Sequence, residues 1–140
     1  MIAEGASWER DLAWGEELEQ RVIKLFAPKH TLVKAEGNHP DWDLQCSECG
    51  ITIECKRDKV AEKTGNFCFE TKLLRTSLAD YLIYEAGTLY WCELEDARYW
   101  ISLAIELGWY TEREVGENRT MGYIVPIEDS SAYMKEWRVR

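Results

Sequence analysis

Residues 39–58 read HPDWDLQCSECGITIECKRD, and how the two halves of this stretch pair decides the fold. "DWDLQC" and "GITIECK" are rich in strand formers, and Ser47-Glu48-Cys49-Gly50 between them carries turn residues, so the stretch predicts a β-hairpin. A four-residue loop sets Cys46 opposite Ile51 and, further up the ladder, Asp43 opposite Glu54. Opposed residues on antiparallel strands hold their Cβ atoms about 4.5–5.5 Å apart on one face, where like charges repel. A hard cation such as Mg²⁺ or Mn²⁺ relieves that repulsion, because it takes carboxylate, water and phosphate oxygens as ligands. Lys56, two residues beyond Glu54, shares its face. Two carboxylates, a metal and an ammonium are the parts that phosphodiester hydrolysis uses.

The composition sets limits on this reading. A chain of 140 residues fits a single domain spanning 1–140, and 46% apolar with 31% charged residues is ordinary for a globular protein. No apolar run is long enough to span a membrane, and the N-terminus lacks the pattern of a signal peptide. Five scattered cysteines argue against a disulfide framework and for a reducing, cytoplasmic setting. The net charge of −9 opposes a nucleic-acid partner, since phosphate affinity comes from Lys and Arg. Its distribution is uneven. From Glu54 to Arg75 six basic residues face four acidic ones, whereas from Glu85 to Asn118 eight acidic residues face two basic ones.

Outward from the hairpin, Trp14, Leu18, Val22, Leu25 and Phe26 recur at helical spacing, predicting a helix over about 8–27 with Ser7 as its cap and Pro28 just past its end. "HTLVKAEG" reads as a short strand, "VAEKTGN" as a loop and "FCFET" as an extended piece. "DYLIYEAGTLYWCEL" predicts a strand pair turning at Ala86-Gly87, and "EDARYWISLAIELGW" a helix. A strand "GYIVPI" and a C-terminal helix "SSAYMKEW" follow. The order is α-β-β-β-α-β-β-α-β-α, an α/β domain. The tryptophans read as core, apart from Trp8, Trp14 and Trp137 near the chain ends. His30 and His39 read as surface or turn residues.

The segments Pro40-Asp41-Trp42-Asp43-Leu44 and Ile53-Glu54-Cys55-Lys56 together resemble the core motif of the PD-(D/E)XK nuclease superfamily. That family's strand Asp sits between apolar residues, which favours Asp43, with Asp41 as the spare. Gly15-Glu-Glu-Leu-Glu19 resembles the helical glutamate of Holliday-junction resolvases, favouring Glu19 over Glu16. Glu54-Cys-Lys-Arg-Asp58, Thr64-Gly-Asn66, Glu70 and Asp80-Tyr81 are similar to small phage-type members. The resemblance covers roughly residues 8 to 90. It implies a restriction-endonuclease-like mixed sheet flanked by helices, acting as a DNA nuclease. Asp43, Glu54 and the backbone carbonyl of Cys55 would then bind Mg²⁺ or Mn²⁺, Lys56 would assist the nucleophile, and Glu19 would support the metal or hold a second one. Lys59, Lys63, Asn66, Lys72 and Arg75 fall in or beside the basic segment as expected substrate contacts. Many small members of the family act as dimers, so a homodimer is among the expectations.

Two rival readings remain. One keeps the fold as an inactive module that binds DNA structures or a protein, which the acidic balance favours. The other is a zinc-stabilised adaptor built on Cys46 and Cys49. A structural zinc site normally takes four ligands, and there is no second Cys-x-x-Cys pair. Cys55, Cys68, His30 or His39 could join only by a fold-back of the chain, or two protomers could pool their Cys-x-x-Cys pairs. The predicted register instead puts Cys46 and Cys55 with Trp42, Leu44, Ile51 and Ile53 as core thiols, so structural Zn²⁺ is not expected.

Overall fold

The computed structural model describes residues 2–36, 41–115 and 119–138, with side chains from Ala13 onward. His39 and the side chain of Trp8 lie outside the described residues. Helix α1 spans Ile2–Phe26. It buries Leu18 and Val22, one turn apart on a single stripe, and stops two residues before Pro28, whose ring cannot continue a helix. Ser7 lies inside this helix rather than capping it.

The strands are β1 (Leu32–Lys34), β2 (Leu44–Cys46), β3 (Thr52–Arg57), β4 (Asn66–Glu70), β5 (Tyr81–Ala86), β6 (Thr88–Glu93), β7 (Arg113–Val115), β8 (Thr120–Pro126) and β9 (Lys135–Glu136). They form two sheets. The larger is six-stranded in the order β1-β2-β3-β5-β6-β9, and the smaller is three-stranded in the order β4-β8-β7. β3 and β5 run parallel and every other described pair is antiparallel, so the large sheet is mixed. The crossover from β3 to β5 carries short helix α2 (Ala61–Thr64), β4 and helix α3 (Thr71–Thr76). Helix α4 spans Leu94–Glu106 and buries Leu94, Ala97, Ile101 and Ala104.

Alternation along β5 shows how the large sheet is covered. Ile83 joins Leu18, Val22, Leu32, Leu44, Cys46 and Ile53 under α1. Leu82, Tyr84 and Ala86 point the other way, into a cluster with Phe67 and Phe69 of β4, Tyr123 and Val125 of β8, and Ala97 and Ile101 of α4. The protein is thus an α/β arrangement with the mixed sheet in the middle. No described helix is long and apolar enough to cross a membrane.

The hairpin register is the expected one: Leu44 pairs with Ile53 and Gln45 with Thr52, and the Cys46 N–H donates to the Ile51 carbonyl at 2.9 Å. Gly50 closes the loop at φ 82°, a conformation that a side chain disfavours. The ladder ends one residue short of Glu54. Asp43 sends its N–H to the Ile53 carbonyl (3.0 Å), while its own carbonyl accepts from Ala35 (2.8 Å) on the far side. A regular strand residue points both groups the same way, so the chain kinks at Asp43. That kink corrects one expectation: Trp42 leaves the Leu44 face and packs against the opposite cluster.

Other expectations also change. "VAEKTGN" contains α2, closed by Gly65 and capped from the side by Asp58, whose carboxylate accepts from the N–H groups of Val60 and Ala61. "SSAYMKEW" is no helix, because Ile127–Ser130 forms a 3-10 turn and Lys135–Glu136 pairs with β6 instead. Trp109 and Trp100 are 71% and 43% exposed and do not belong to the core.

The small sheet is held tightly at Gly122. A Cβ there would lie 2.6 Å from the Phe69 carbonyl oxygen and 3.1 Å from the Glu70 Cα, both backbone atoms that cannot step aside. Gly122→Ala is expected to prise β8 from β4 and destabilise the protein by about 1–3 kcal/mol. Urea unfolding measures this, and an unchanged midpoint would contradict the close approach.

Candidate functional site

The kink at Asp43 does more than end a ladder. It turns the carboxylate toward β3, where Oδ2 accepts the Cys55 N–H at 2.7 Å. The Glu54 side chain lies alongside, close enough for the two carboxyls to hydrogen bond. Burial pushes the Glu54 carboxyl up to about 8, with the negative charge of Asp43 and then those of Glu19 and Glu70 adding to the effect. Burial raises Asp43 as well, against the opposing pull of the Cys55 N–H.

Glu19 joins them from α1. Its side chain is only 14% exposed, and burial followed by the charge of Asp43 raises its carboxyl. Glu16, one turn earlier, is 53% exposed and pairs with Lys34 at 3.1 Å. Glu19 is therefore the helical carboxylate that faces Asp43.

Lys56 lies further along the same face of β3. Its Nζ donates to the Cys68 carbonyl at 2.7 Å, sits 3.9 Å from a Glu70 oxygen and rests over the Tyr84 ring. Tyr84 is itself tied down, donating to Asp58 at 2.6 Å and accepting the Cys68 N–H at 2.9 Å. Lys56 is thus seated by β4 and β5, strands of two different sheets.

Asp43, Glu54, Lys56 and Glu70 line a cleft of about 530 Å³ together with Asp41, Cys55 and Lys72, and Glu19 and Tyr84 lie outside its walls. A second groove of about 650 Å³ shares Lys56 and Glu70 with it and continues past Arg57, Lys59, Asn66 and Arg113. Of the expected substrate contacts, Lys72 lines the first cleft and Lys59 and Asn66 the second, whereas Lys63 and Arg75 are exposed away from both. Arg57 lies in the groove wall but is committed to Glu85 (2.6 Å), Glu17 (3.0 Å) and the Trp14 ring.

Sequence reasoning gave little weight to Glu70 and overlooked Tyr84 and Arg113. Glu70 ends a strand whose sheet partner lies far along the chain, so no local signal places it beside Lys56. Asp80 and Asp58 prove to be bracing residues. Asp80 accepts from the Thr52 N–H and hydroxyl at 3.0 and 3.2 Å, and so fastens β3 to the start of β5.

Asp43 and Glu54 are desolvated acids in contact. Among the described residues the nearby ammonium groups bond to other partners, Lys34 to Glu16 at 3.1 Å and Lys56 to the Cys68 carbonyl at 2.7 Å, although the charge of Lys34 still acts on Asp43. An acidic pair without a seated cation, made only of oxygen donors, suits Mg²⁺ or Mn²⁺. The Cys55 N–H points to Asp43, so its carbonyl points to the same side, past the end of β2.

Among the described residues, however, the trio of His, Cys, Asp or Glu with ligand atoms all within 4.8 Å of one another is a different one: His30, Cys46 and Cys49. The fold-back that such a set requires is present. His30 follows the end of α1 and meets the hairpin turn, with its Nδ1 3.4 Å from the Cys49 Sγ. The Cys49 N–H points at the Cys46 sulfur (3.4 Å) and is the main cause that lowers the Cys46 thiol to about 6. Comparison with protein-family models, curated proteins and solved structures finds no match for the chain.

Proposed function

We propose that the protein is a divalent-metal-dependent nuclease that hydrolyses DNA phosphodiester bonds, with a site and a sheet of the PD-(D/E)XK, restriction-endonuclease-like kind. The observation that carries this reading is the contact between Asp43 and Glu54 in the cleft, with Lys56 on the same face of β3. Two carboxyls held together under burial must share a proton or a cation between them, and a divalent cation takes the place of the proton. The mixed sheet flanked by helices adds support, since that is the coarse arrangement the resemblance implies.

In this reading Asp43, Glu54 and the Cys55 carbonyl hold Mg²⁺ or Mn²⁺, and Glu19 supports Asp43 from behind. Bound there, the cation would supply Lewis-acid character toward a phosphate oxygen and a more acidic water. Lys56 points its ammonium into the cleft, where it can donate to the attacking water or to a phosphate oxygen. Glu70 balances Lys56 in the absence of substrate. Lys72 on one side of the site, with Lys59 and Asn66 on the other, contacts the flanking backbone.

The net charge of −9 favours the second reading, an inactive module of the same fold. A cleavage panel separates the two. Labelled linear, circular, single-stranded and branched DNA are incubated with Mg²⁺ or Mn²⁺. The wild type is expected to cleave at least one form and to stop on chelation, with rates falling about 10²–10³-fold or more in Asp43→Ala and Lys56→Ala while thermal melting shows both folded. Binding without cleavage by the wild type would establish the inactive module instead.

A further inference from the structure

The geometry points to a second, independent metal site: we propose that His30, Cys46 and Cys49 bind one Zn²⁺ through an imidazole nitrogen and two sulfurs. Tetrahedral zinc with bonds of about 2.3 Å to sulfur and about 2.0–2.1 Å to nitrogen separates its ligands by about 3.5 Å (N to S) and about 3.8 Å (S to S). The His30 to Cys49 separation of 3.4 Å is already that of such an edge, and all three ligand atoms lie within 4.8 Å of one another. Little rearrangement is then needed on binding.

The backbone fixes this arrangement before any ion arrives. The His30 N–H donates to the Phe26 carbonyl at 2.7 Å, anchoring the imidazole to the end of α1. The Ser47 N–H donates to the Thr31 carbonyl at 2.9 Å, and this pins the hairpin turn against that segment. Cys46 is buried at the end of β2 and Cys49 is exposed in the loop, so the ligands form a pocket that opens outward. The fourth position faces solvent and is left to water. Two soft thiolates and an imidazole select Zn²⁺ over Mg²⁺, the reverse of the preference of the Asp43 site. Both sulfurs bind as thiolates, so any proton a thiol still holds goes to solvent, and both sulfurs stay reduced. The ion would tie α1 to the β2–β3 hairpin at the end of β2 opposite Asp43.

Co²⁺ serves as the probe. Reduced, metal-free protein titrated anaerobically with Co²⁺ is expected to develop thiolate-to-metal charge-transfer absorption and tetrahedral d–d bands that saturate at one equivalent. One equivalent of Zn²⁺ should bleach both. Cys49→Ser and His30→Ala should each weaken binding at least about tenfold, whereas Cys68→Ser should not change it. Zn²⁺ should raise the melting temperature of the wild type but not of Cys49→Ser. The carboxylate site offers no sulfur, so its occupancy gives none of the charge-transfer signal. Absence of that signal overturns the proposal, as does its persistence at full affinity in Cys49→Ser or His30→Ala. A Cys46–Cys49 disulfide as the stable form in reducing buffer overturns it equally.

Discussion

Glu54→Gln is expected to reduce metal-dependent cleavage by at least about 10³-fold and, at the same time, to yield a protein that melts higher than the original. Both effects come from the same contact. In the metal-free protein Glu54 is pressed against Asp43 in a desolvated pocket, with Glu19 and Glu70 adding negative charge. The neutral amide keeps the shape, can donate to Asp43 as the protonated acid does, and has no proton to release on unfolding, a gain of roughly 1–2 kcal/mol near neutral pH after allowance for the part of Glu54 that solvent reaches. The loss of activity follows because the amide removes one of the two negative charges that would hold the cation.

The pH dependence fixes the sign. Glu54 ionises near its ordinary value of 4.5 in the unfolded chain and at about 8 in the folded one. Below 4.5 both states hold the proton and the full stability is present. As pH rises from there to about 8 the unfolded chain releases a proton that the folded protein keeps, so metal-free stability falls across that window. Mg²⁺ should restore it by replacing the proton, and Glu54→Gln should flatten the slope. Melting curves from pH 4 to 9 with and without Mg²⁺ measure all of this. A variant that is less stable than the wild type at pH 8 would contradict the contact, and cleavage surviving in it would sink the nuclease assignment.

Phe67→Ala is expected to cause the largest loss of stability, about 3–5 kcal/mol. Phe67 is fully buried, with its ring 4.7 Å from Tyr84, 5.1 Å from Tyr90 and 5.8 Å from Phe69. Those partners belong to both sheets, so the ring is the wedge that joins them. Removing it leaves a cavity that flanking backbone, held in two ladders, cannot fill. Against a total of about 5–15 kcal/mol for a domain this is a large fraction. Urea unfolding tests it: the midpoint should fall with little change in slope, and a loss under about 1 kcal/mol would mean the sheets are not joined there. The site should suffer too, because β4 carries the Cys68 carbonyl that seats Lys56.

The sequence made the hairpin legible because a four-residue loop leaves little freedom of register, and Leu44 does pair with Ile53. Helix α1 and the β5–β6 pair were legible because their patterns run long and their buried residues follow them. The face of Trp42 was not, since it depends on a kink made by hydrogen bonds to two different strands. The segment "SSAYMKEW" has helical spacing, yet Lys135 and Glu136 pair with Trp91 and Tyr90, a tertiary contact that outweighs local preference. Of the candidate site, Asp43 and Glu54 meet across the hairpin although the kink takes Asp43 out of the ladder, Glu19, to which only the resemblance pointed, faces Asp43 from α1, and Glu70 and Tyr84 reach the site only through the second sheet. His30 is sixteen residues from Cys46, too far for any periodicity to reveal their meeting.

The division into two sheets also has a bearing on the order in which the molecule comes into being. Asp43, Glu54 and Lys56 are all made early, and so is β4, but β4 has no partner until the ribosome reaches β8, because Glu70 pairs with Gly122 more than fifty residues later. At about 5–20 residues per second that interval lasts roughly 3–10 s. During it the nascent chain holds its acids without the platform that steadies its lysine. The last strands to be made, rather than the hairpin itself, complete the machinery.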